Sequence, residues 1–450
     1  MLQSTTITRR GLLAGALGAA AVASLAACTS TPGPVPAGGT AGSKAQAKKV
    51  TGTLTFAFWG GSDGETQGFA EVKKRFEAAN PGTTIVLKTL PYAGFFSSID
   101  RGIVSETAPD LFRVDYTSIG KYISHGVLLD VTPYFSTAET EAFLPAFWNA
   151  VKYEGRAWGV PHQTDTTAVV YNKAAFASAG IGAVPDRLED AWSWDEFSDV
   201  ASKLRQSLPA SKYPFAYDWT AAGAYRWSSF VYQAGGSLLT SDLKKPAVPS
   251  AASRKALDFT KTFFEKKWVP ANNTIKTTVY SDNFFLNQTV PMTFIGDFLV
   301  PEIADKTNGY QGGEWATTFM PQDETAASDL GGNAIVAWKG TRNPDLAAAF
   351  LKFLVSEDAM KRFCELATEL PTLQSLADST LDYPIRPDSL AVFTRQATTI
   401  TDTVVKETTV PGFASISTTL QDQLELGLRG TDTDATLRAI ASGIRGAVAA

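Results

Sequence analysis

Histidine is almost absent from this chain of 450 residues, which contains only His125 and His162. Their spacing is not that of zinc ligands, and no cluster of cysteines lies beside them. His125 lies at a predicted helix end, and His162 lies where a predicted strand passes into a loop. We therefore predict neither a metal site nor a catalytic histidine.

Positive charge is also limited, with 40 lysine and arginine residues against 45 acidic residues and a formal net charge of -5. A mildly acidic chain without basic blocks argues against a nucleic acid as partner. The sequence has no Walker loop, no dinucleotide-binding fingerprint and no G-x-S-x-G nucleophile motif. The glycine-rich turn at Gly60–Gly64 follows a predicted strand but has no lysine for a phosphate. We therefore expect no cofactor and assign no catalytic residue.

The N-terminal segment 1–27 has the pattern of an export signal. The pair Arg9-Arg10 indicates the twin-arginine (Tat) route, although the general route stays open. The uncharged run that follows is short for the roughly 20 residues of a membrane span. It ends in Leu25-Ala26-Ala27-Cys28, which resembles a bacterial lipobox. We predict cleavage before Cys28 and a lipid on its thiol; the alternative is a lone N-terminal transmembrane helix.

Residues 28–50 consist mainly of proline, glycine, alanine, serine, threonine and lysine. Such a segment cannot bury enough apolar surface to offset the entropy of ordering it. We therefore predict a flexible tether, which would hold a lipid-anchored domain at the outer face of the cell membrane. No later segment is long and apolar enough to span a bilayer. Loss of residues 1–27 removes two arginines and no acid, so the formal charge becomes -7.

Cysteine is as scarce as histidine, because Cys364 is the only cysteine left once Cys28 carries a lipid. No disulfide can then form within the chain. Cys364 lies in a predicted helix together with the apolar Met360 and Phe363. This pattern is typical of a buried apolar residue, and no histidine is near enough in sequence to activate the thiol.

Ordered structure is predicted to begin near Thr51 and to alternate strands with helices. Leu54, Phe56 and Phe58 alternate with smaller residues, as in a strand. A helix follows the glycine-rich turn and stops at Asn80-Pro81-Gly82, before a second strand. This βαβ order predicts a parallel sheet with right-handed crossovers.

Helix starts can be read from capping residues further along the chain. Ser193 and Glu196 have the spacing of a capping box. Asn343 before Pro344 has the pattern of an N-cap residue, and Ser356 precedes two acids in another first turn. The length of the mature chain favours two lobes rather than one core.

Candidate ligand contacts lie after predicted strands, because open α/β sheets bind ligands beyond the carboxyl ends of their strands. Aromatic faces suit the C–H faces of sugars, and carboxylates and amides suit their hydroxyls. For Trp59, Trp219 and Trp227, ligand stacking and ordinary core packing remain equally open. The candidate residues are Trp59, Asp63, Glu65, Asp115, Tyr116, Asp165, Trp219, Trp227, Asp297, Phe298, Gly332 and Asn333.

A series of short motifs runs in a defined order along nearly the whole mature chain. They are Phe58-Trp59-Gly60, Ala108-Pro109-Asp110-Leu111, Gly126–Phe135, Trp158-Gly159-Val160-Pro161, Val170-Tyr171-Asn172-Lys173, Trp194-Asp195-Glu196-Phe197, Gln233-Ala234-Gly235-Gly236, Gly331-Gly332, Asn343-Pro344, Ala349–Ala359 and Glu369-Leu370-Pro371-Thr372. Each motif is weak alone. Their joint order resembles the extracellular solute-binding proteins of ABC importers, in the carbohydrate-binding group that includes maltose-binding protein.

The resemblance implies an α/β fold of the periplasmic-binding-protein type, with two α/β lobes joined by hinge crossings and a ligand cleft between them. By analogy, lobe 1 comprises residues 51–163 and 317–355, and lobe 2 comprises residues 164–316 and 356–446. The resemblance also implies that the segments containing Trp59, Asp115 and Asp165 line the cleft. Many relatives have a tryptophan near Phe298, so the preferred sugar and the ring that stacks on it stay open.

The resemblance implies a lipid-anchored substrate-binding protein that captures a carbohydrate, expected to be an oligosaccharide, outside the membrane. This protein would deliver the sugar to ABC permease subunits, as a monomer and without a cofactor. The alternative is a cell-surface glycoside hydrolase. Such an enzyme would need two cleft carboxyls about 5–9 Å apart, one of them in an apolar setting that raises its pKa. The acids to compare are Asp63, Glu65, Asp115, Asp165 and Asp297.

Overall fold

A computed structural model describes residues 50–377 and 381–449, without the side chains of residues 221 and 222. The predictions for residues 1–49, including the signal peptide and the lipid on Cys28, lie outside the described residues. Within these ranges, no helix combines the length and the apolar character that a membrane span requires.

Strands in the described part of the chain form two sheets and a short hairpin. They are β1 (Gly52–Trp59), β2 (Thr83–Leu90), β3 (Leu111–Asp115), β4 (Lys152–Tyr153), β5 (Arg156–Ala157), β6 (Val160–Gln163), β7 (Thr167–Asn172), β8 (Phe215–Ala216), β9 (Met292–Gly296), β10 (Trp315–Thr318) and β11 (Asn333–Ala337). The larger sheet has the order β2-β1-β3-β11-β6, and the smaller sheet has the order β10-β7-β9-β8.

Both sheets are mixed. Strand β1 pairs in parallel with β2 and β3, as the βαβ pattern predicts. Strand β11 is antiparallel to β3 and β6, and β7 is antiparallel to β9 and β10. The prediction of a parallel sheet is therefore right only for the first three strands of the larger sheet. It is wrong for β11 because the chain enters this strand from the smaller sheet and not through a crossover helix.

Helices cover the sheets. They are α1 (Asp63–Ala79), α2 (Phe95–Val104), α3 (Tyr116–Ser124), α4 (Thr137–Glu141), α5 (Pro145–Ala150), α6 (Lys173–Ser178), α7 (Trp194–Ser207), α8 (Ser228–Gln233), α9 (Ala251–Glu265), α10 (Asp282–Leu286), α11 (Val300–Ala304), α12 (Pro344–Leu354), α13 (Glu357–Ala367), α14 (Gln374–Ala377), α15 (Pro387–Ala397), α16 (Asp402–Thr408), α17 (Phe413–Leu428) and α18 (Thr433–Ala449). Short 3-10 helices span Thr132–Tyr134, Leu188–Asp190, Ala221–Trp227 and Asp297–Leu299.

The predicted helix starts are confirmed at three positions. Ser193, Asn343 and Ser356 are the N-cap residues of α7, α12 and α13. The Ser193 hydroxyl accepts from the N–H of Glu196 over 3.2 Å, and the Glu196 carboxylate accepts from the N–H of Ser193 over 2.7 Å. This is the reciprocal pattern of a capping box. The Asn343 amide donates to the carbonyl of Thr53 instead of capping its helix.

The inner strands of each main sheet are buried on both faces, because their alternate side chains enter different hydrophobic clusters. Along β1, Leu54, Phe56 and Phe58 enter one cluster, whereas Ala57 and Trp59 enter the other. Strands β7 and β9 of the smaller sheet divide their side chains in the same way. Burial of one large apolar side chain contributes about 1.5–3 kcal/mol, so these clusters hold each sheet to its helices.

Helix α13 packs against α1 in a cluster of the larger sheet, where the rings of Phe363 and Phe69 lie 4.6 Å apart. Cys364 is fully buried in the same cluster, which confirms the prediction of an apolar role. The His162 ring packs against both phenylalanine rings, at 5.2 Å from Phe69 and 4.3 Å from Phe363. Burial lowers the pKa of His162 to about 3, so its ring is neutral. His125 follows the last residue of α3, at the predicted helix end.

The chain passes from the larger sheet to the smaller one between β6 and β7, and it returns between β10 and β11. Thr164, in the first of these connections, contacts two other segments. Its N–H donates to the carbonyl of Leu370 over 3.0 Å, and its hydroxyl donates to the carbonyl of Gly331 over 3.2 Å. The two connections and the segment after α13 are therefore bonded to one another beside both sheets.

Candidate functional site

A cavity of about 440 Å³ lies beside these connections, and strand ends of both sheets contribute to its walls. The larger sheet supplies the ends of β1 and β3, and the smaller sheet supplies residues that follow β8 and β9. Eight of the twelve predicted ligand-binding residues line the cavity. They are Trp59, Glu65, Asp115, Tyr116, Asp165, Phe298, Gly332 and Asn333.

Trp59 ends β1 and presents a small part of its ring to the cavity, since only 8% of the residue is exposed. Its ring packs edge to face against Tyr92 and Phe95, at 5.3 and 5.1 Å. The Arg113 guanidinium lies 4.5 Å from the centre of the indole and donates to the Trp59 carbonyl over 3.1 Å. The indole is thus held in place on several sides before any ligand arrives.

Glu65 connects the start of α1 to the cavity. Ser62 caps this helix, and the Glu65 carboxylate accepts from the N–H groups of Ser62 and Gly61 over 3.1 and 2.5 Å. The same carboxylate forms an ion pair with Arg113. Both charged side chains are almost completely buried. Glu65 therefore has three donors within the protein and fixes the position of Arg113.

Asp115 lies at the end of β3, opposite Asn333 of β11. It accepts from the Tyr92 hydroxyl over 2.9 Å. In the amide orientation that satisfies its neighbours, Asn333 donates to Asp115 and accepts from Gln163 and Arg113. Burial raises the pKa of Asp115 to about 7, although Tyr92 and Arg113 oppose this shift. These polar groups form one connected network on the wall of the larger sheet.

Arg226 carries the positive charge of the opposite wall. Its Nη2 atom lies 3.0 Å from Oδ1 of Asp165, and its Nη1 atom donates to Asp329. Its Nε atom lies 3.8 Å from the nearest oxygen of Asp218, too far for a hydrogen bond. One buried guanidinium is therefore surrounded by three carboxylates.

Asp218 and Glu369 are buried carboxyls of the cavity wall with unpaired oxygens. Asp218 is 1% exposed, and neither of its carboxyl oxygens accepts a hydrogen bond from any described residue. Glu369 is 2% exposed and its Oε2 atom likewise has no partner. Burial raises the pKa of Asp218 to about 7 and raises that of Glu369 well above its usual range. An unpaired buried polar group costs about 1–3 kcal/mol, so these oxygens are favourable positions for donors of a ligand.

Gly331 and Gly332 let the segment before β11 approach the wall closely. A Cβ atom on Gly331 would lie 1.9 Å from Oδ1 of Asp165. Gly332 has φ = +92°, in the left-handed region, and its carbonyl accepts from the N–H of Tyr116 over 3.4 Å. Only glycine fits both positions without displacing Asp165 or straining the backbone.

Trp219 and Trp227 do not line the cavity. Both are fully buried in a core cluster of the smaller sheet. The Trp219 ring lies 4.3 Å from that of Tyr217, and Trp227 donates from Nε1 to Thr260 over 3.1 Å. The sequence left ligand stacking and core packing open for these two tryptophans. Core packing therefore applies to Trp219 and to Trp227, and neither ring can stack on a ligand in this cavity.

Asp63 and Asp297 also lie outside the cavity wall. Asp63 is an exposed residue at the start of α1. Asp297 is fully buried, and its Oδ1 atom accepts from the N–H of Thr166 over 3.1 Å. Asp297 thus supports the segment that carries Asp165, whereas the next residue, Phe298, reaches the cavity.

Further residues line the cavity that were not predicted to bind a ligand. They include Tyr92, Arg113, Gln163, Asp218, Tyr225, Arg226, Tyr280 and Glu369. Asp218 directly precedes Trp219, and Arg226 directly precedes Trp227. For Asp218 and Arg226, the signal in the sequence was therefore their position next to tryptophans that were themselves candidates.

Comparison with known proteins shows a match over most of the described chain. A family model described as bacterial extracellular solute-binding protein matches residues 61–361. A binding protein of Brucella abortus is 24% identical over 333 residues, which cover 72% of this chain and 77% of that protein. The maltotriose-binding protein of Pyrococcus abyssi is 22% identical over 325 residues, which cover 72% of this chain and 67% of that protein.

A solved structure extends the comparison to the fold. The GacH receptor of Streptomyces glaucescens, determined unliganded and in complex with acarbose, superposes with a TM-score of 0.73 at 19% sequence identity. The superposition covers 89% of this chain and 99% of the receptor. This likeness confirms the predicted fold class, two α/β lobes with a cleft between them.

Proposed function

The chain belongs to the bacterial extracellular solute-binding protein family, and on this basis we propose that it captures a carbohydrate outside the cell membrane. It then delivers the sugar to the permease subunits of an ABC importer. The family and the relatives are binding proteins, and the hydrolase alternative finds no support in them. The protein needs no chemistry for this role, only an affinity that differs between open and closed states.

The observation that carries the proposal is the composition of the cavity, which combines aromatic rings with acceptors from both sheets. Trp59, Tyr225 and Phe298 offer apolar surface for the C–H faces of a sugar ring. Asp165 and Asn333 offer polar atoms for its hydroxyls, from opposite walls. The volume of about 440 Å³ lies within the usual range for small-molecule sites.

The relatives support a sugar of more than one ring. One of them is a maltotriose-binding protein, and the GacH receptor was crystallised with acarbose. We propose an oligosaccharide for this chain as well. The ligand contacts that we retain from the sequence are the eight residues on the cavity wall, and we add Tyr225, Arg226 and Asp218.

The two sheets would form the cores of two lobes that close around the ligand. We retain the predicted crossings near residues 163 and 317. We propose that the third crossing follows α13 and does not lie near residue 355, because α13 packs against α1 in a cluster of the larger sheet. A ligand that contacts both walls would stabilise the closed state by its difference in affinity for the two states.

The anchor and location are part of the same proposal. A lipid on Cys28 would hold the protein at the outer face of the cell membrane after export, with residues 28–50 as tether. We propose that it acts there as a monomer, since one cavity with two walls is contained in one chain.

Thermal unfolding of the full chain against a panel of mono- and oligosaccharides tests this function. A sugar at about 100 times its dissociation constant should stabilise the protein by about 2.7 kcal/mol. Small-angle scattering should then show a smaller radius of gyration, and the sugar should be recovered intact after long incubation. Cleaved sugar would support the hydrolase, and a panel without any stabilising sugar would contradict the proposal.

A further inference from the structure

Carboxyl groups greatly outnumber cations on the cavity wall. The carboxyl residues are Glu65, Asp115, Asp165, Asp218, Asp282, Glu302 and Glu369. The cationic residues among the same lining residues are Arg113 and Arg226. The wall therefore has a strong excess of acidic groups.

Both guanidiniums are already neutralised within the protein. Arg113 forms its ion pair with Glu65. Arg226 contacts Asp165 and also Asp329, which lies behind the wall and adds one more negative charge. Neither cation is left to balance the remaining carboxyls of the cavity.

Among these remaining carboxyls, Asp218 and Glu369 are the ones most withdrawn from water. Glu302 is exposed, whereas Asp115 accepts a hydrogen bond from Tyr92 and Asp282 accepts one from Asn283 over 3.2 Å. Asp218 has no hydrogen bond to any described residue, and its contact with Arg226 is 3.8 Å long. Glu369 forms no ion pair with any side chain described. A buried carboxylate without a hydrogen-bond donor favours a donor that also carries positive charge, because attraction between charges is strong where water is excluded.

An ammonium group meets this requirement better than a hydroxyl. It supplies three donors and a positive charge, whereas a hydroxyl supplies one donor and leaves the carboxylate charge uncompensated. Aromatic faces also attract cations. The lining residues include the rings of Tyr225 and Tyr280 besides Trp59 and Phe298.

We propose that the ligand is a sugar that carries an ammonium group, and that Asp218 accepts hydrogen bonds from this group. The inference rests on the proposed function, because it specifies which class of sugar the cavity prefers. It is distinct from a preference for neutral sugars, in which protonated carboxyls would donate to hydroxyls. The two cases differ in how binding responds to the charge of the ligand.

Calorimetric titration of the full chain with matched disaccharides separates these cases. The series is cellobiose, N,N'-diacetylchitobiose and chitobiose, which carry a hydroxyl, a neutral amide or an ammonium group at the same ring positions. Glucose, N-acetylglucosamine and glucosamine repeat the comparison with one ring. At pH 7, near the pKa of about 7 of Asp218, part of this carboxyl is ionised before any ligand binds. There we expect the ammonium sugar to bind at least about tenfold more tightly than both neutral analogues. Added salt should reduce this ratio.

Asp218→Asn tests the assigned residue. It should reduce the preference for the ammonium sugar to less than about threefold while the protein stays folded, as measured by its unfolding transition. Asp199→Asn, at an exposed position of α7, is the matched control and should leave the preference unchanged. A preference that survives in Asp218→Asn would overturn the assignment.

The outcomes also separate this inference from the proposed function. Equal or tighter binding of the neutral sugars would overturn the inference and leave the proposed function intact. Tight binding of spermidine without binding of any sugar would overturn the proposed function, and with it the assignment of a sugar ligand. No binding by any member of the series, when the wider panel is also negative, would overturn both.

Discussion

The Nη2 atom of Arg226 lies 3.0 Å from Oδ1 of Asp165, in the segment that connects β6 to β7. The same guanidinium donates to Asp329, in the segment that connects β10 to β11. One side chain of the smaller sheet's wall therefore binds both connections between the sheets. This contact makes Arg226 a structural residue as well as a cavity residue.

Arg226→Ala should lower the free energy of unfolding by about 3–5 kcal/mol at pH 8, because it leaves buried carboxylates without their cation. Urea denaturation of the ligand-free protein measures this loss. Arg156→Ala is the control, since Arg156 is 63% exposed and pairs with Asp130 over 3.4 Å. An exposed pair contributes less than about 1 kcal/mol. Equal effects of the two substitutions would contradict the structural role of Arg226.

Asp218 should make the ligand-free protein less stable as pH rises. Its folded-state pKa is about 7, whereas an unfolded aspartate titrates near about 3.9. Between these two pH values the folded state binds more protons than the unfolded state. The stabilisation present at low pH is therefore lost as pH rises through 7. Asp218→Asn should therefore gain stability relative to the parent chain between pH 5 and pH 8, by a few kcal/mol at most.

Urea denaturation at several pH values checks this difference, and comparison with the parent cancels the contributions of the other acids. Asp199→Asn should give a profile parallel to that of the parent. A parallel profile for Asp218→Asn would show that Asp218 has no raised pKa in the folded protein.

Trp59 and Trp227 should respond differently to truncation. Trp59→Ala should weaken sugar binding by at least about 1 kcal/mol, because its ring lines the cavity. Trp227→Ala should instead lower the free energy of unfolding by about 3–5 kcal/mol, because its ring is fully buried in the core. Calorimetry on the folded fraction and denaturation of both variants distinguish the effects. An affinity loss confined to Trp227→Ala would contradict the placement of the cavity.

Cys28→Ala should release the protein from the membrane or leave it with its export signal, because the modified thiol would be lost. Fractionation and mass measurement on intact protein check this outcome. Cys364→Ala is the control, since this cysteine is buried and should not affect membrane attachment. A Cys28→Ala protein of normal mass in the membrane fraction would contradict the lipid anchor.

Local sequence patterns predicted much of the fold. The Ser193–Glu196 capping box and the alternation along β1 are correct, because both depend on residues a few positions apart. The direction of β11 was not predictable in this way. It depends on the sheet from which the chain returns, and that pairing joins Asn333 to Asp115, far apart in sequence.

The candidate site was predictable where a regular strand leads into it. Trp59 and Asp115 end strands of the larger sheet and line the cavity. After β8 the backbone is irregular, so no period indicates which of two neighbouring side chains faces the ligand. There Trp219 packs in the core and Asp218 lines the cavity wall. From the sequence, Trp219 was the candidate ligand contact because of its aromatic ring.

Thr164 bonds the first connection to both Gly331 and Leu370, through its hydroxyl and its backbone N–H. These two bonds of Thr164 join the connections without any of the side chains that line the cavity. Descendants of this chain could therefore exchange wall residues such as Tyr225 or Phe298 and acquire new ligands without loss of these two bonds. The residues that could diversify during evolution are thus different from Thr164, Gly331 and Leu370, which keep the connections bonded.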